Sequence, residues 1–373
     1  MYTRSFARTL WLFVAVGAAA VVPASICAED KPEHKLSRPD KVFKIFQFPR
    51  DQMPRIDGDT DDWKIVPDEY AYGSDEVVDT IDGYGADFDR QDLDINVRVG
   101  WVKGLNRLYF LYEAHDDFWD FGRFNPGGYS NDIFEIAVDG DLSGGPFINN
   151  PLITDGVENH FAFKGVHAQN YHIYTPPVDN AWVLVWGCQA WIGEFPQSNW
   201  AYSYDFKHGE SGKLVLEFWI TPYDYAPFDG PEHAVESKLR ENHLIGLSWS
   251  VLDFDGDKRD GFYNLAHDAR MVSDGTYLCA FQLMPLEKKF QKEFQAEWSF
   301  KVVDMETRKV AFKDESVGKV TSWKWTFGDG ETSTERNPVH VFTKAGVHYV
   351  TTLEVTGPTG KSRRSRFWDV MVK

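Results

Sequence analysis

Hydrophobic and polar residues alternate with a period of two in many short segments of this chain, and turns rich in glycine, proline and asparagine separate these segments. In residues 131–139, for example, Phe134, Ile136 and Val138 fall on one face of an extended backbone. Such alternation indicates β-strands that bury one face. The segments recur at the spacing typical of a β-sandwich, so the pattern predicts an all-β fold.

Nine segments before residue 286 are predicted to be strands of one large, jelly-roll-like sandwich. They are residues 42–48, 93–97, 108–114, 131–139, 160–166, 171–174, 181–186, 214–220 and 247–254. Residues 286–297 differ, because Phe290 and Phe294 lie four positions apart among charged residues, which indicates a short linker helix. After it, shorter strand-like segments with tight turns predict a second, smaller sandwich.

The same pattern divides the chain into five parts. We expect a signal peptide at residues 1–28, a disordered lead-in at 29–41, the large sandwich at 42–285, the linker at 286–297 and the small sandwich at 298–373. The first part has Arg4 and Arg8 before an apolar run and ends on the small residue Ala28, as secretory signals do. This predicts a protein that is secreted, periplasmic or held at the cell surface. No later segment is apolar enough for us to expect membrane insertion.

Export also implies an oxidising compartment, yet only Cys188 and Cys279 follow the signal segment. A disulfide scaffold is therefore excluded as the basis of the fold. The two thiols either pair with each other or stay free, and the sequence leaves both possibilities open.

Net charge narrows the range of partners. The chain carries a formal charge of −18, and residues 29–285 alone hold 45 acidic and 21 basic side chains. Such a domain repels nucleic acid and anionic membranes, so we expect neither as a partner. Neutral ligands and divalent cations fit this charge better.

Two acidic runs are candidate cation sites. Asp253, Asp255 and Asp257 follow a predicted strand, and Asp57 and Asp59 lie in an earlier turn. Carboxylates held this closely repel one another unless a hard cation binds them, and calcium is the usual one. Neither run has the glycine and glutamate positions of an EF-hand loop, so loops of the sandwich would hold the ion. The alternative is a solvated acidic turn without an ion.

The fourteen tryptophans exceed what an ordinary core needs and indicate a β-rich fold, a stacking surface, or both. A sugar presents apolar C–H faces and a rim of hydroxyls, so its site needs exposed indoles beside groups that donate and accept hydrogen bonds. Five tryptophans are candidate platforms: Trp119, Trp182, Trp186, Trp191 and Trp200. The alternative for each of them is an ordinary place in the core.

The most specific motif lies in the small domain. It reads WKWTFGDG over residues 323–330, followed by Asn337-Pro338 and by an alternating strand at 349–355. Gly328 and Gly330 permit a tight turn after the strand that carries the two tryptophans. The whole closely resembles a PKD (polycystic kidney disease) repeat, which is an immunoglobulin-like Greek-key sandwich. The resemblance implies a non-catalytic spacer or a module that docks a protein partner.

A second resemblance covers the large domain. Four segments carry it: IDGDTDDW from residue 56, LYFLYEAHDD from residue 108, NDIFEIAVD from residue 131 and DFDGD from residue 253. In this order they resemble a carbohydrate-binding module of family 9. The resemblance implies a β-sandwich that binds polysaccharide or oligosaccharide, often with structural calcium, and that usually accompanies a glycanase in carbohydrate breakdown. Residues 148–213 match no pattern of the family, which leaves the identity of the glycan open.

These observations give three hypotheses. The first is an exported, non-catalytic carbohydrate-binding protein in which the PKD repeat is a spacer or interaction domain. The second is a secreted glycoside hydrolase or lyase with paired carboxylates, for which Glu113, Asp116 and Glu135 are the candidates. The third is a cell-surface adhesion or assembly protein. An accessible strip of tryptophans beside polar groups favours the first, facing carboxylates in a cleft favour the second, and buried tryptophans throughout favour the third.

Overall fold

The computed structural model describes residues 35–122, 131–149, 156–256, 258–366 and 371–372 of the chain. Within these residues most of the regular structure is β-strand, which confirms the all-β prediction. The predicted signal segment at residues 1–28 and the predicted ligand Asp257 lie outside the described residues. Among the described helices, none is long and apolar enough to cross a membrane.

Fifteen strands form the large domain within the described residues. They are β1 (Ser37–Gln47), β2 (Ala71–Gly73), β3 (Val78–Asp79), β4 (Leu93–Trp101), β5 (Leu108–Asp116), β6 (Ile133–Asp139), β7 (Gln169–Val178), β8 (Ala181–Val185), β9 (Ser198–Tyr204), β10 (Gly212–Ile220), β11 (Tyr223–Tyr225), β12 (Val235–Glu236), β13 (Leu244–Asp255), β14 (Lys258–Asn264) and β15 (Cys279–Leu283). One α-helix, α1 (Val157–Phe163), lies between β6 and β7. The two cysteines of this domain are not bonded to each other.

Strand β1 joins the two sheets of the large sandwich. Its residues from Ser37 to Ile45 pair in parallel with β15, and its last residues, Phe46 and Gln47, pair in parallel with β4. One sheet therefore has the order β8-β7-β6-β13-β15-β1, and the other has the order β1-β4-β5-β10-β9. Strand β14 pairs with β13 and β3, and β2 pairs with β4.

The core lies between the two sheets because the alternating apolar positions of both point inward. Tyr112 of β5 stacks on Phe134 of β6 with ring centroids 4.2 Å apart. Strands β8 and β9 are the last strands of the two sheets on the side away from β1. There Trp182 of β8 stacks on Trp200 of β9, with ring centroids 6.4 Å apart. This tryptophan pair joins the two end strands through side chains alone.

The small domain consists of nine further strands in the described residues. They are β16 (Trp298–Asp304), β17 (Lys309–Asp314), β18 (Ser322–Thr326), β19 (Thr332–Ser333), β20 (Val339–Val341), β21 (Val347–His348), β22 (Thr351–Gly357), β23 (Gly360–Arg366) and β24 (Met371–Val372). They pair as β16-β17-β20, β19-β18-β22-β23 and β21-β24.

The WKWTFGDG motif builds the core of this small sandwich. Trp325 is fully buried, and its indole Nε1 donates to the carbonyl of Glu335 at 2.9 Å. Phe327 stacks on the ring of His340, which hydrogen-bonds to the Asp329 carboxylate at 2.7 Å. The motif therefore stabilises the fold of the domain through packing and hydrogen bonds.

A group of charged side chains, here called the junction cluster, joins the two domains. Its centre is the carboxylate of Glu297, which lies 3.3 Å from Arg50 of the large domain. The same carboxylate lies 2.8 Å from Arg366 and 3.8 Å from Arg364 of the small domain. The two domains thus contact each other through a carboxylate shared by three guanidinium groups.

The predicted linker helix at residues 286–297 was wrong. The structure has only the short 3-10 helix Lys288–Phe290 there. Phe290 packs on the ring of Phe46 in the large domain, whereas Phe294 packs against the core of the small domain. Their spacing of four residues therefore reflects anchors in two different cores and not one helix face.

Other predicted segments also differ from the structure. Residues 160–166, predicted as a strand, lie largely in α1, because a short apolar run fits either period. Strand β1 begins at Ser37, inside the predicted disordered lead-in. The Ser37 hydroxyl donates to the carbonyl of Tyr277 at 2.9 Å, which ties this end of the strand to the domain.

Candidate functional site

Six aspartates converge at one end of the large sandwich. Strand pairing brings them together: Leu93 at the start of β4 pairs with Asp116 at the end of β5, and Ile133 of β6 pairs with Leu252 of β13. The residues next to these positions carry the other carboxylates. The aspartate cluster, as we name it, consists of Asp92, Asp116, Asp117, Asp132, Asp253 and Asp255.

The carboxylates of this cluster form two triads. In the first, one oxygen from each of Asp116, Asp132 and Asp253 lies within 4.8 Å of the others, and all three residues are at most 2% exposed. In the second triad, one oxygen from each of Asp92, Asp117 and Asp255 also lies within 4.8 Å of the others, and these residues are more exposed. The cluster therefore extends from the interior to the surface.

Several oxygens of the aspartate cluster have no hydrogen-bond donor among the described residues. They include Oδ2 of Asp116, Oδ2 of Asp253 and Oδ1 of Asp255. Asp132 differs, because it accepts the backbone N–H of Phe254 at 2.8 Å. A buried carboxylate oxygen without a partner costs free energy. Because the donor set consists entirely of oxygen, it fits a hard divalent cation such as calcium.

Proton affinities in the cluster reflect the same crowding. Burial, followed by the charges of Asp255 and Asp92, raises the pKa of Asp116 to about 7. Burial, followed by the charges of Asp255 and Asp117, raises the pKa of Asp92 to about 6. Burial and the charge of Asp116 also hold the pKa of Asp253 well above its usual range. Protons or a cation must therefore neutralise the cluster.

The other predicted cation ligands lie elsewhere. Asp59 precedes the 3-10 helix Thr60–Ile65, and its side chain accepts the backbone N–H of Asp61 at 3.0 Å. Asp57 in turn accepts the backbone N–H of Asp59 at 3.0 Å. Among the described residues, Asp57 and Asp59 do not belong to a group of acids close enough to hold a metal. Their local hydrogen bonds support a turn, so the structure separates this acidic run from the one at Asp253 and Asp255.

Sequence reasoning missed Asp92, Asp117 and Asp132 as candidate ligands and considered Asp116 only as a catalytic acid. Each of them directly precedes a strand, ends one, or follows one. An acidic residue at the end of a predicted strand is the sequence feature that could have identified them. The sequence does not show that they lie together, because this depends on the pairing of β4, β5, β6 and β13.

The five predicted tryptophan platforms divide into two sets. Trp119 is 1% exposed and stacks on Phe206 at 4.8 Å, and Trp182 is 4% exposed. Both lie in the core, so neither offers the exposed ring that a sugar platform requires. Trp186, Trp191 and Trp200 are partly exposed and pack against the rim of the core.

The three partly exposed tryptophans border the side of the sandwich at which β8 and β9 meet. Trp186 follows β8, Trp191 lies in the 3-10 helix Ala190–Gly193, and Trp200 lies on β9. We call these three residues the tryptophan edge. The ammonium group of Lys164 lies 5.7 Å from the ring of Trp186. The indole Nε1 of Trp191 donates to the carbonyl of Pro227 at 2.9 Å, which fixes its ring.

The three candidate catalytic acids have separate environments. Glu113 forms an ion pair with Arg98 at 2.9 Å, and Asp116 belongs to the aspartate cluster. Glu135 accepts hydrogen bonds from Asn170 at 2.9 Å and from Ser250 at 3.1 Å. Glu113 and Asp116 lie three residues apart on β5 and so point to opposite faces of that strand.

Comparison with known proteins identifies the small domain. Residues 299–372 match the family model of the PKD domain, which confirms the predicted repeat. A stretch of 53 residues is 51% identical to Collagenase ColQ1 of Bacillus cereus (strain Q1). This match covers 14% of the present chain and 5% of the collagenase, so the chain spans a small part of that relative's length.

Two of the similar solved structures match different parts of the chain. A carbohydrate binding module family 9 from Caldicellulosiruptor kristjanssonii, in complex with cellotriose, covers 67% of this chain and 96% of its own, with 15% identity and a TM-score of 0.43. The PKD1 domain of the Vibrio cholerae metalloprotease PrtV covers 22% of this chain and 100% of its own, with 30% identity and a TM-score of 0.19. The chain thus carries a PKD domain after its large sandwich.

Proposed function

We propose that this chain is an exported, non-catalytic carbohydrate-binding protein. In this proposal the large sandwich binds polysaccharide or oligosaccharide, calcium braces it, and the PKD domain is a spacer or docks a protein partner. The observation that carries the proposal is the tryptophan edge, where partly exposed indoles lie beside polar groups.

An indole at this edge suits the apolar face of a sugar ring. Trp200 is supported from behind by the stacked ring of Trp182, so its position does not depend on a ligand. The Lys164 ammonium lies 5.7 Å from the ring of Trp186 and supplies a hydrogen-bond donor beside that indole. Stacking on the indole with hydrogen bonds at its border is the usual basis of sugar recognition.

The aspartate cluster would hold calcium through Asp116, Asp132 and Asp253, with the second triad nearer the solvent. Because these residues come from the ends of β5, β6 and β13, one ion would connect both sheets of the sandwich. Calcium would also neutralise carboxylates in a domain that has 24 more acidic than basic side chains over residues 29–285. The ion would stabilise the fold that presents the sugar site.

Catalysis is not part of the proposal because each candidate acid already has a structural environment. Glu113 is paired with Arg98, and Glu135 is hydrogen-bonded to Asn170 and Ser250. Export is included because residues 1–28 have the pattern of a secretory signal.

The first test is binding of the purified chain to a glycan panel, with and without a calcium chelator. The panel should include cellotriose and glucose, the sugars held by two of the similar modules. We expect Trp200→Ala to weaken binding about tenfold, because a stacking platform is removed. Trp323→Ala, which removes a partly buried tryptophan of the PKD domain, is the matched control. Absence of binding to any glycan in both conditions would overturn the proposal.

A further inference from the structure

A pocket lies at one end of the large sandwich, near Trp191 of the tryptophan edge. Its walls are the turn between β4 and β5, the hairpin of β11 and β12, and residues 196–197 before β9. It encloses about 360 Å³, which is within the range of pockets that hold small ligands. The ring centroids of Trp191 and of Tyr223, a residue of this wall, lie 5.1 Å apart, so Trp191 of the tryptophan edge packs against the wall of the pocket.

The polar groups in this pocket are held in place by the protein. The amide of Asn106 donates to the Glu236 carboxylate at 2.9 Å, which links two of the walls. The guanidinium of Arg107 lies 3.9 Å from the centroid of the buried Trp219 ring. The pocket thus has fixed donors and acceptors before any ligand arrives.

Aromatic rings at the border of the pocket are unusually exposed. Phe195 directly precedes Pro196 in the wall and is 77% exposed. Tyr225, on β11 of the same hairpin, is 46% exposed. Phe195 is the most exposed of the large hydrophobic side chains in the described residues, so its ring is accessible for stacking on a ligand.

Charge in the pocket is balanced. The cation of Arg107 and the anion of Glu236 are both in the lining, and the nearby Lys103 and Glu241 form an ion pair at 2.9 Å. A neutral, hydroxyl-rich ligand can use both a carboxylate acceptor and a guanidinium donor, whereas an anionic ligand meets Glu236.

We infer that this pocket binds one sugar unit of a neutral glycan, with Phe195 as its stacking platform and with Asn106, Arg107 and Glu236 as its hydrogen-bonding groups. This inference rests on the proposed function, and it assigns a site in addition to the tryptophan edge. A glycan bound here can continue past Trp191 onto the edge.

Calorimetric titration of the full chain tests the assignment. The probes are neutral oligosaccharides of glucose, xylose and mannose, together with an oligogalacturonate as the anionic comparison. Phe195→Ala and Glu236→Gln are each expected to weaken binding of the neutral probe about tenfold. Tyr204→Ala, which removes a 41% exposed ring at the far end of β9, should leave affinity within about twofold of the parent. Melting curves verify that each variant is folded.

Each outcome decides a different point. If the parent binds and only Trp200→Ala weakens it, the proposed function stands and the pocket assignment is overturned. Preference for oligogalacturonate over the neutral probes would also overturn the assignment. If the parent binds none of these probes, the pocket assignment is overturned, whereas the proposed function is overturned only if the glycan panel also shows no binding.

Discussion

Asp253 shows at the residue scale how the aspartate cluster responds to a cation. It forms the buried triad with Asp116 and Asp132, and its Oδ2 has no donor among the described residues. Without a cation its charge adds to the repulsion of its neighbours, whereas with a cation the same charge becomes a ligand. Whether removal of this charge raises or lowers the free energy of unfolding therefore depends on calcium.

We predict that Asp253→Asn lowers the free energy of unfolding in calcium but not in chelator. At a calcium concentration well above the dissociation constant, loss of the ion would cost about 3 kcal/mol. In chelator the variant should be as stable as the parent or more stable, because a buried like charge is gone. Thermal unfolding in the two buffers measures both values.

Asp57→Asn is the matched control, since Asp57 lies outside the aspartate cluster. Its effect should be small and equal in the two buffers. An equal loss for Asp253→Asn in calcium and in chelator would contradict a cation at this cluster.

At the scale of elements, strand β10 holds the opening turn of the large domain through Glu217. The Glu217 carboxylate is buried and accepts the backbone N–H of Gly58 and the indole N–H of Trp63, each at 2.7 Å. It also accepts the backbone N–H of Asp57 at 3.2 Å. The IDGDTDDW segment is therefore held by a protein carboxylate.

Glu217→Ala is expected to destabilise the protein by about 2–4 kcal/mol, because three donors, among them the indole N–H of the buried Trp63, lose their acceptor. The loss should be the same with calcium and with chelator. Denaturant titration measures it, with Glu113→Ala as the control. Glu113 is a partly exposed acid on the adjacent β5, where loss of its ion pair should cost about 1 kcal/mol or less. A loss for Glu217→Ala that occurs only in calcium would place a cation at Asp57.

The sequence predicted most strands of the large domain, but it did not predict which side chains these strands bring into contact. Strands such as β5 and β6 were found because each is a short run rich in apolar residues and bounded by turns, although β6 is buried on both faces. The exposure of Trp119 could not be foreseen, because the stacking partner Phe206 lies 87 residues further along the chain. Two of the six residues of the candidate cation site, Asp253 and Asp255, were found because they lie close together in sequence. The rest depends on pairing between distant strands.

At the scale of the whole molecule, the junction cluster links the stability of the two domains to the charge of Glu297. Burial acts to raise the pKa of Glu297, but Arg50, the backbone N–H of Trp298 and Arg366 together hold it below its usual value. A carboxyl with a lowered pKa in the folded state contributes stability above its usual pKa near 4.5. This stability is lost as the pH falls through the folded value.

Glu297→Gln should therefore lower the free energy of unfolding by about 2 kcal/mol at neutral pH, where charged hydrogen bonds are lost. The difference between variant and parent should shrink as the pH falls below 4.5, because the parent then loses the same charge. Calorimetry across this pH range measures the difference. Asp51→Asn, which breaks the exposed contact between Asp51 and Lys292, is the control and should cost less than about 1 kcal/mol. A difference that is constant with pH would contradict this role of the Glu297 charge.

The position of Glu297 also determines how the small domain can be transplanted into another protein. A fragment that starts at residue 298 separates Arg364 and Arg366 from the carboxylate that they contact. It also omits Ala296, which is 1% exposed in the core of the small domain, and the adjoining Phe294. A fragment that starts at Phe294 keeps these groups and leaves behind only Arg50. The transferable fragment therefore begins a few residues before β16. A fusion partner needs only a cation near Glu297 to replace Arg50.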